Sequence, residues 1–255
     1  MTRIKDLENQ NPADLKPEDL LLYNLQRCKK LRKEQANSVN PADLSLIELS
    51  EWQSERLART HANLLESSRY QAATRFFLTD LYAPKDFSHR DHDLERSYPM
   101  IITVLPINAV YAVALATELD SLSMELDEAL AQVLSKELNV KKKAQLTEEK
   151  YAEGYRLCNN YDKRKHQIEL IRILGEDLEM VVAKPFIYAA LRMARIPAKF
   201  SGFGELQDFL ERGFKSFHDM GEADEFLDFL VGRELRILDR IYANHPQPFN
   251  LKVPD

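Results

Sequence analysis

The stretch AVYAVALATELDSLSMELDEALAQVLS, residues 109–135, decides the fold. Leu115, Leu119, Leu122, Leu126, Ala129 and Val133 follow one another at alternating steps of four and three. At about 3.6 residues per turn that spacing draws one continuous apolar seam along a helix. Asn108, just ahead of it, is the natural N-cap. Other segments repeat the helical period and none sustains the alternation of a strand. The chain is therefore expected to be all-α: a multi-helix bundle of about eight helices with no sheet.

Working outward, cap chemistry marks the other helices. Asn40-Pro41-Ala42-Asp43-Leu44 puts asparagine at an N-cap, proline at the first helical position and aspartate in the first turn, and the same five residues occur at 11–15. Pro17 follows the first copy so closely that this copy is expected to make only a turn, with a helix from Pro17 to about Ala36. A helical pattern from Pro41 to about Leu81 carries a candidate break at Glu66-Ser67-Ser68, and Ala83-Pro84-Lys85 ends it. Ser88 opens the next helix, which reaches Leu105 with a kink at Pro99. Beyond the exposed linker Asn139–Leu146, Thr147 caps a short helix. Long helices are expected from Asp162 to Lys184 and, after a kink, from Pro185 to Arg195. Pro197–Gly204 reads as a loop, followed by helices at Glu205–Met220 and Glu222–Ala243. These elements divide the chain into an N-terminal helical extension (1–37), a single all-helical domain (38–243) and an extended, proline-containing tail (244–255).

Composition removes several function classes. Seven glycines in 255 residues are too few for folds built on tight turns or phosphate-cradling loops. Gly202-x-Gly204 is the one close pair, without the third glycine of a dinucleotide site. The net charge of −6 gives no general attraction to nucleic acid or an anionic membrane, and neither partner is expected. Arg27, Lys29, Lys30, Arg32 and Lys33 form a local basic cluster without interleaved aromatics, a pattern of a solvated helix face. A chain of this length buries a core without metal or disulfide, so no cofactor is expected. Cys28 and Cys158 lack metal or disulfide spacing, and the first ten residues lack an apolar export core, which together point to a cytoplasmic location. Pro99–Thr117 carries no charge, yet Pro106 interrupts it, which favours two buried helix ends meeting at a corner over a membrane span.

No catalytic motif stands out, so polar side chains on apolar stripes become the candidates, because a buried charge must be paired or functional. On the helix after Ser88, Arg90 and Asp91 lie beside the stripe of Leu94, Tyr98, Ile101 and Leu105. On the helix from Asp162, Arg164 and Gln167 share the stripe of Ile168, Ile171 and Leu174. Glu234 sits at the centre of the arc formed by Leu227, Leu230, Val231, Ile237 and Ile241. Arg90, Asp91, Arg164, Gln167 and Glu234 are therefore expected to include the members of an internal polar network, read either as register-fixing salt bridges or as a cleft for a small polar or anionic ligand. His89, His92 and Asp93 fall on the outer side and form a weaker candidate for a divalent metal. His92-Asp93 resembles the adjacent pair of the metal-dependent HD phosphohydrolases, but here it stands in a charged helix start rather than at the end of an apolar run. His61, beside Leu57 and Leu64, reads as a hydrogen-bonded core histidine. The phenylalanines between Phe200 and Phe229 are either the densest part of the core or a homodimer face.

Phe76-Phe77-Leu78-Thr79-Asp80-Leu81-Tyr82, the run Arg90-Asp91-His92-Asp93-Leu94-Glu95-Arg96 ahead of Pro99, and Leu206-Gln207-Asp208-Phe209-Leu210-Glu211-Arg212-Gly213-Phe214 resemble an uncharacterised family of all-helical cytoplasmic proteins from Gram-negative bacteria. The resemblance spans roughly 65–242. It implies a bacterial, cytoplasmic helical protein, and it carries no catalytic residue with it. The function class it leaves is a helical interaction or regulatory module, with a ligand-binding protein or enzyme built on the polar set as the alternative.

Overall fold

The computed structural model describes residues 10–38, 40–81, 88–200 and 202–252, with the side chains at 38, 81, 88–93 and 104 outside that set. Among the described residues there are eleven α-helices and no strand: α1 Pro17–Ser38, α2 Leu46–Thr60, α3 Ala62–Glu66, α4 Gln71–Phe76, α5 Ser88–Val104, α6 Ile107–Lys136, α7 Glu148–Cys158, α8 Tyr161–Val182, α9 Pro185–Phe200, α10 Gly204–Met220 and α11 Asp224–Tyr242. The count exceeds eight because the segment ending at Leu81 breaks at His61 and at the Ser67–Tyr70 turn, then ends in the π-helical turn Phe77–Leu81.

Both Asn-Pro-Ala-Asp copies make turns. The Asn11 carboxamide accepts from the Ala13 N–H (3.3 Å) and that of Asn40 from the Ala42 N–H (3.2 Å). The helix expected to start at Pro41 instead starts at Leu46, where Ser45 and Glu48 form a reciprocal capping box. Helix α6 starts at Ile107 behind Pro106, so Asn108 lies inside its first turn rather than capping it. The expected loop at Pro197 is helical: α9 runs through that proline to Phe200. A chain poor in glycine ends helices with asparagine. Among the described residues, Asn139, Asn159 and Asn244 are the non-glycine residues with positive φ (51°, 48° and 55°), and each lies within three residues of the end of α6, α7 or α11.

Helix α6 is the axis of the bundle. It packs against α1, α2, α5, α7 and α8. Leu115, Leu119, Leu122 and Leu126 are buried as the seam requires, but the line then passes through Leu130 and Leu134, leaving Ala129 and Val133 half-buried. Ala109, Ala112, Ala114 and Ala131 are buried too, because α6 meets neighbours on several sides. Helix α1 lies along it with Leu20, Leu21, Leu25 and Cys28 buried, and Asn24 Nδ2 donates to the Ala114 carbonyl at 3.0 Å. The tail folds back: Phe249 packs edge-on to Trp52 at 6.5 Å, and Arg240 donates to the Asn250 carbonyl at 2.9 Å. No described helix is long and apolar enough to cross a membrane.

The stripe glycines are contact points. A Cβ on Gly175 would stand 2.5 Å from Leu227 Cδ2, inside the fully packed α8–α11 contact, whereas a Cβ on Gly232 meets nothing within 4 Å. Gly232→Ala should therefore gain roughly 0.5–1 kcal/mol from helix propensity. Gly175→Ala should lose about 1–3 kcal/mol to overpacking despite the same propensity gain. Urea denaturation of the two variants measures both signs.

Candidate functional site

Helices α2, α7, α8 and α11 enclose the polar centre of the molecule. Arg56 on α2 donates through Nη1 to both Glu234 oxygens on α11, at 2.7 and 2.6 Å. His61, the residue joining α2 and α3, is fully buried and places Nε2 2.9 Å from Glu234 Oε1. A carboxylate only accepts, so the proton on this contact sits on His61 Nε2. Burial alone raises the Glu234 carboxyl, but the Arg56 charge and the His61 hydrogen bond outweigh it and hold the group down at about 2. Burial likewise works against the Arg56 charge, and Glu234 more than restores it.

A second set adjoins the first. Arg164 on α8 donates to Asp127 Oδ1 (3.2 Å), to Gln167 Oε1 (3.1 Å) and to the Leu126 carbonyl (2.9 Å). Gln53 Nε2 reaches the same Asp127 oxygen at 3.0 Å and Tyr151 Oη at 3.3 Å. Gln167 Nε2 donates to Ser123 Oγ at 2.7 Å. Aromatic faces complete the enclosure: the Arg164 guanidinium lies 4.5 Å over the Tyr155 ring, and Trp52 stacks on Tyr151 at 4.4 Å. Burial pushes the Tyr155 hydroxyl well above its usual value, so it stays a neutral donor.

Arg164, Gln167 and Glu234 thus line one cavity, together with Gln53, Arg56, Tyr151 and Tyr155, of about 40 Å³. It has room for roughly two or three waters, enough to serve Arg56 Nε, a buried donor with no protein partner in the structure. Its two guanidiniums face two carboxylates, so the enclosure is charge-balanced. The side chains of Arg90 and Asp91, and those of His89, His92 and Asp93, lie outside the described residues, and their helix α5 packs on α1, α6 and α10. Among the described residues no cluster of three or more His, Cys, Asp or Glu is arranged to hold a metal. Sequence reasoning left Gln53, Arg56 and Asp127 out of the network. Arg56 had a detectable signal, since it sits next to Leu57 and one turn past Trp52 on a buried face that it shares with Leu49 and Gln53. Asp127 had none, because α6 is buried on several sides.

A larger cavity, of about 340 Å³, runs alongside α6 between α4, α5, α8, α9 and α10. Its wall is mainly apolar: Ala109, Ala112, Ala116 and Leu119 from α6, Leu174 and Val181 from α8, Ile187 and Leu191 from α9, and Leu206, Leu210 and Phe214 from α10. Polar groups gather at the other end, near Arg32, Asp120, Ser123 and Asp127. Arg32 pairs with Asp120 there at 3.2 Å. Asp127 and Gln167 tie the two cavities together, since Gln167 lines the small one while its partner Ser123 and Asp127 line the large one.

Other candidates resolve into structure. Arg27, Lys29 and Arg32 of the basic cluster pair with Glu125, Glu95 and Asp120. Phe214, Phe217 and Phe226 are buried within the chain, leaving Phe200 and Phe229 exposed among the aromatic set.

A family model described as a domain of unknown function, DUF8198, matches residues 31–248. The chain belongs to the DUF8198 family. The DUF8198 match begins within α1, so residues 17–30 of that helix precede it although they pack into the same bundle. No curated protein and no solved structure matches the chain.

The buried pair dictates an acid response. A carboxyl held below its unfolded value of about 4.5 stabilises the fold above that pH, and the contribution fades as pH falls toward 2. Glu234→Gln should cost about 3–5 kcal/mol at neutral pH, because it leaves Arg56 buried and unpaired. Arg56→Met combined with Glu234→Leu should recover part of that loss, short of the cost of leaving the His61 Nε2–H without its acceptor, and flatten the acid slope. Urea midpoints followed from neutral to acid pH check both variants against the parent.

Proposed function

We propose that this DUF8198 protein is a non-enzymatic helical module that binds an elongated apolar molecule, of the acyl-chain kind, in the cavity beside α6. The cavity itself carries the reading: native cores are close-packed, whereas about 340 Å³ lies open here, within the size range of small-molecule sites. Helix α6 lines it from Ala109 to Asp127, a run of roughly 27 Å at 1.5 Å per residue. A mainly apolar wall with polar groups at one end suits a chain with a polar head rather than a charged metabolite.

The polar set around Arg56, Arg164, Gln167 and Glu234 supports this role from behind the polar end of the cavity, where Arg164 and Gln167 bond to Asp127 and Ser123 of its wall. Its space of about 40 Å³ suits waters better than a ligand. Cys28 and Cys158 form no disulfide, which fits a reducing, cytoplasmic setting of the bacterial kind that the resemblance implies. A homodimer through the Phe200–Phe229 region has the exposed Phe229 in its favour.

The test is displacement of a fluorescent fatty-acid probe from delipidated protein, paired with a melting scan. A ligand at 100 times its Kd should add about 2.7 kcal/mol, a rise of roughly 5–10 °C for a chain of this size. Ala112→Phe and Ala116→Phe push a ring into the cavity and should abolish probe binding while melting at or above the parent temperature. Undiminished binding in both variants would sink the assignment.

A further inference from the structure

Helix α9 is amphipathic the wrong way round. Tyr188 stacks on Phe214 at 5.3 Å, and the body-facing side itself carries Ile187, which is buried, with Leu191 and Ala198, which are half-buried. At 100° per residue these three fall within about 40° of one another. Phe186, Met193, Ile196 and Phe200 cluster about 160° away, and they are 58%, 74%, 67% and 89% exposed. A surface helix ordinarily turns its apolar stripe to the core. Here the larger stripe faces solvent along the whole 16-residue helix, a patch of the sort that marks an interaction site.

Charge identifies the occupant. From Met180 to Gly204 the chain carries Lys184, Arg192, Arg195 and Lys199 and no acidic residue, within a protein of net charge −6. Arg192 and Lys199 lie on the flank of the apolar stripe, Arg192 over the Tyr188 ring at 5.9 Å. Arg195 turns back to pair with Glu211. At the far end of the helix, Arg96 sits 5.0 Å over the Phe203 ring and adds another cation. Two copies meeting through this stripe would bring Arg192 and Lys199 against their own kind. A convex apolar ridge with a cationic flank, too short to span, is the form of a helix that lies in the interface of an anionic bilayer.

We infer that α9 docks this protein on anionic lipid surfaces, with Phe186, Met193, Ile196 and Phe200 entering the acyl boundary and Arg192 and Lys199 at the headgroups. The inference is independent of the cavity reading, because its residues point away from the body. Ile187 and Leu191, on the opposite side of the same helix, line the large cavity.

Flotation of the full-length protein with phosphatidylcholine vesicles, with and without phosphatidylserine, tests it. Binding is expected with phosphatidylserine only and should weaken as salt rises. Arg192→Glu with Lys199→Glu should reduce binding by roughly tenfold or more. Met193→Asp with Ile196→Asp should abolish it while the melting temperature and fatty-acid probe binding stay at parent values. Met193→Trp should shift its emission to the blue on the anionic vesicles. The proposal is overturned by absence of binding, by equal binding to both vesicle types, or by light scattering that shows a dimer which Met193→Asp dissociates. Failure of Ala112→Phe to alter probe binding would count against the cavity and leave vesicle docking untouched.

Discussion

Helix α6 has to bury side chains in several directions at once, and the rest of the bundle is arranged to let it. With α1 along one side, α7 and α8 along others, and α2 and α5 at its two ends, few positions on it face open water. Small residues answer that demand. Ala112 and Ala114 let neighbours approach, Ser121 and Thr117 return their hydroxyls to α6's own carbonyls, and leucines fill what is left. Along the segment from Ala109 to Ala116 the small side chains are not fully met by partners. The apolar cavity is the consequence.

The polar network makes the opposite bargain at the other end of α6. Arg56, Glu234 and His61 join the α2–α3 corner to α11, while Arg164, Asp127, Gln53 and Gln167 join α8 and α2 to α6. Each charge has a partner of opposite sign, and directional bonds of this kind permit one helix register where apolar contacts would tolerate several. Trp52, Tyr151 and Phe249 keep water from the outer side, so the tail contributes to the electrostatics of a pair far from it in sequence.

Much of this was legible beforehand. Periodicity placed the helices because a buried stripe needs its residues at 3.6 spacing whatever the partner, and Glu234, Arg164 and Gln167 betrayed themselves by interrupting such stripes. Helix starts were harder. Asn40 and Ser45 are both good caps, and the choice of Ser45 depends on Glu48 being able to return the hydrogen bond. Leu130 and Leu134 replaced Ala129 and Val133 in the buried line because α6 has several faces, which a single-seam pattern cannot express. Partnership was not legible at all: nothing in the local sequence says that Arg56 meets Glu234, and no period reveals that Ile187 rather than Phe186 faces the body.

The two halves of the central ion pair stand 178 residues apart. At a synthesis rate of about 5–20 residues per second, Arg56 and His61 wait roughly 10–35 s for their carboxylate. During that interval the α2–α3 corner cannot close over an apolar core without burying an uncompensated cation, so it stays open and hydrated. The emerging chain is thereby kept from settling early, and α11, which follows the other described helices in sequence, is the one that completes the pair.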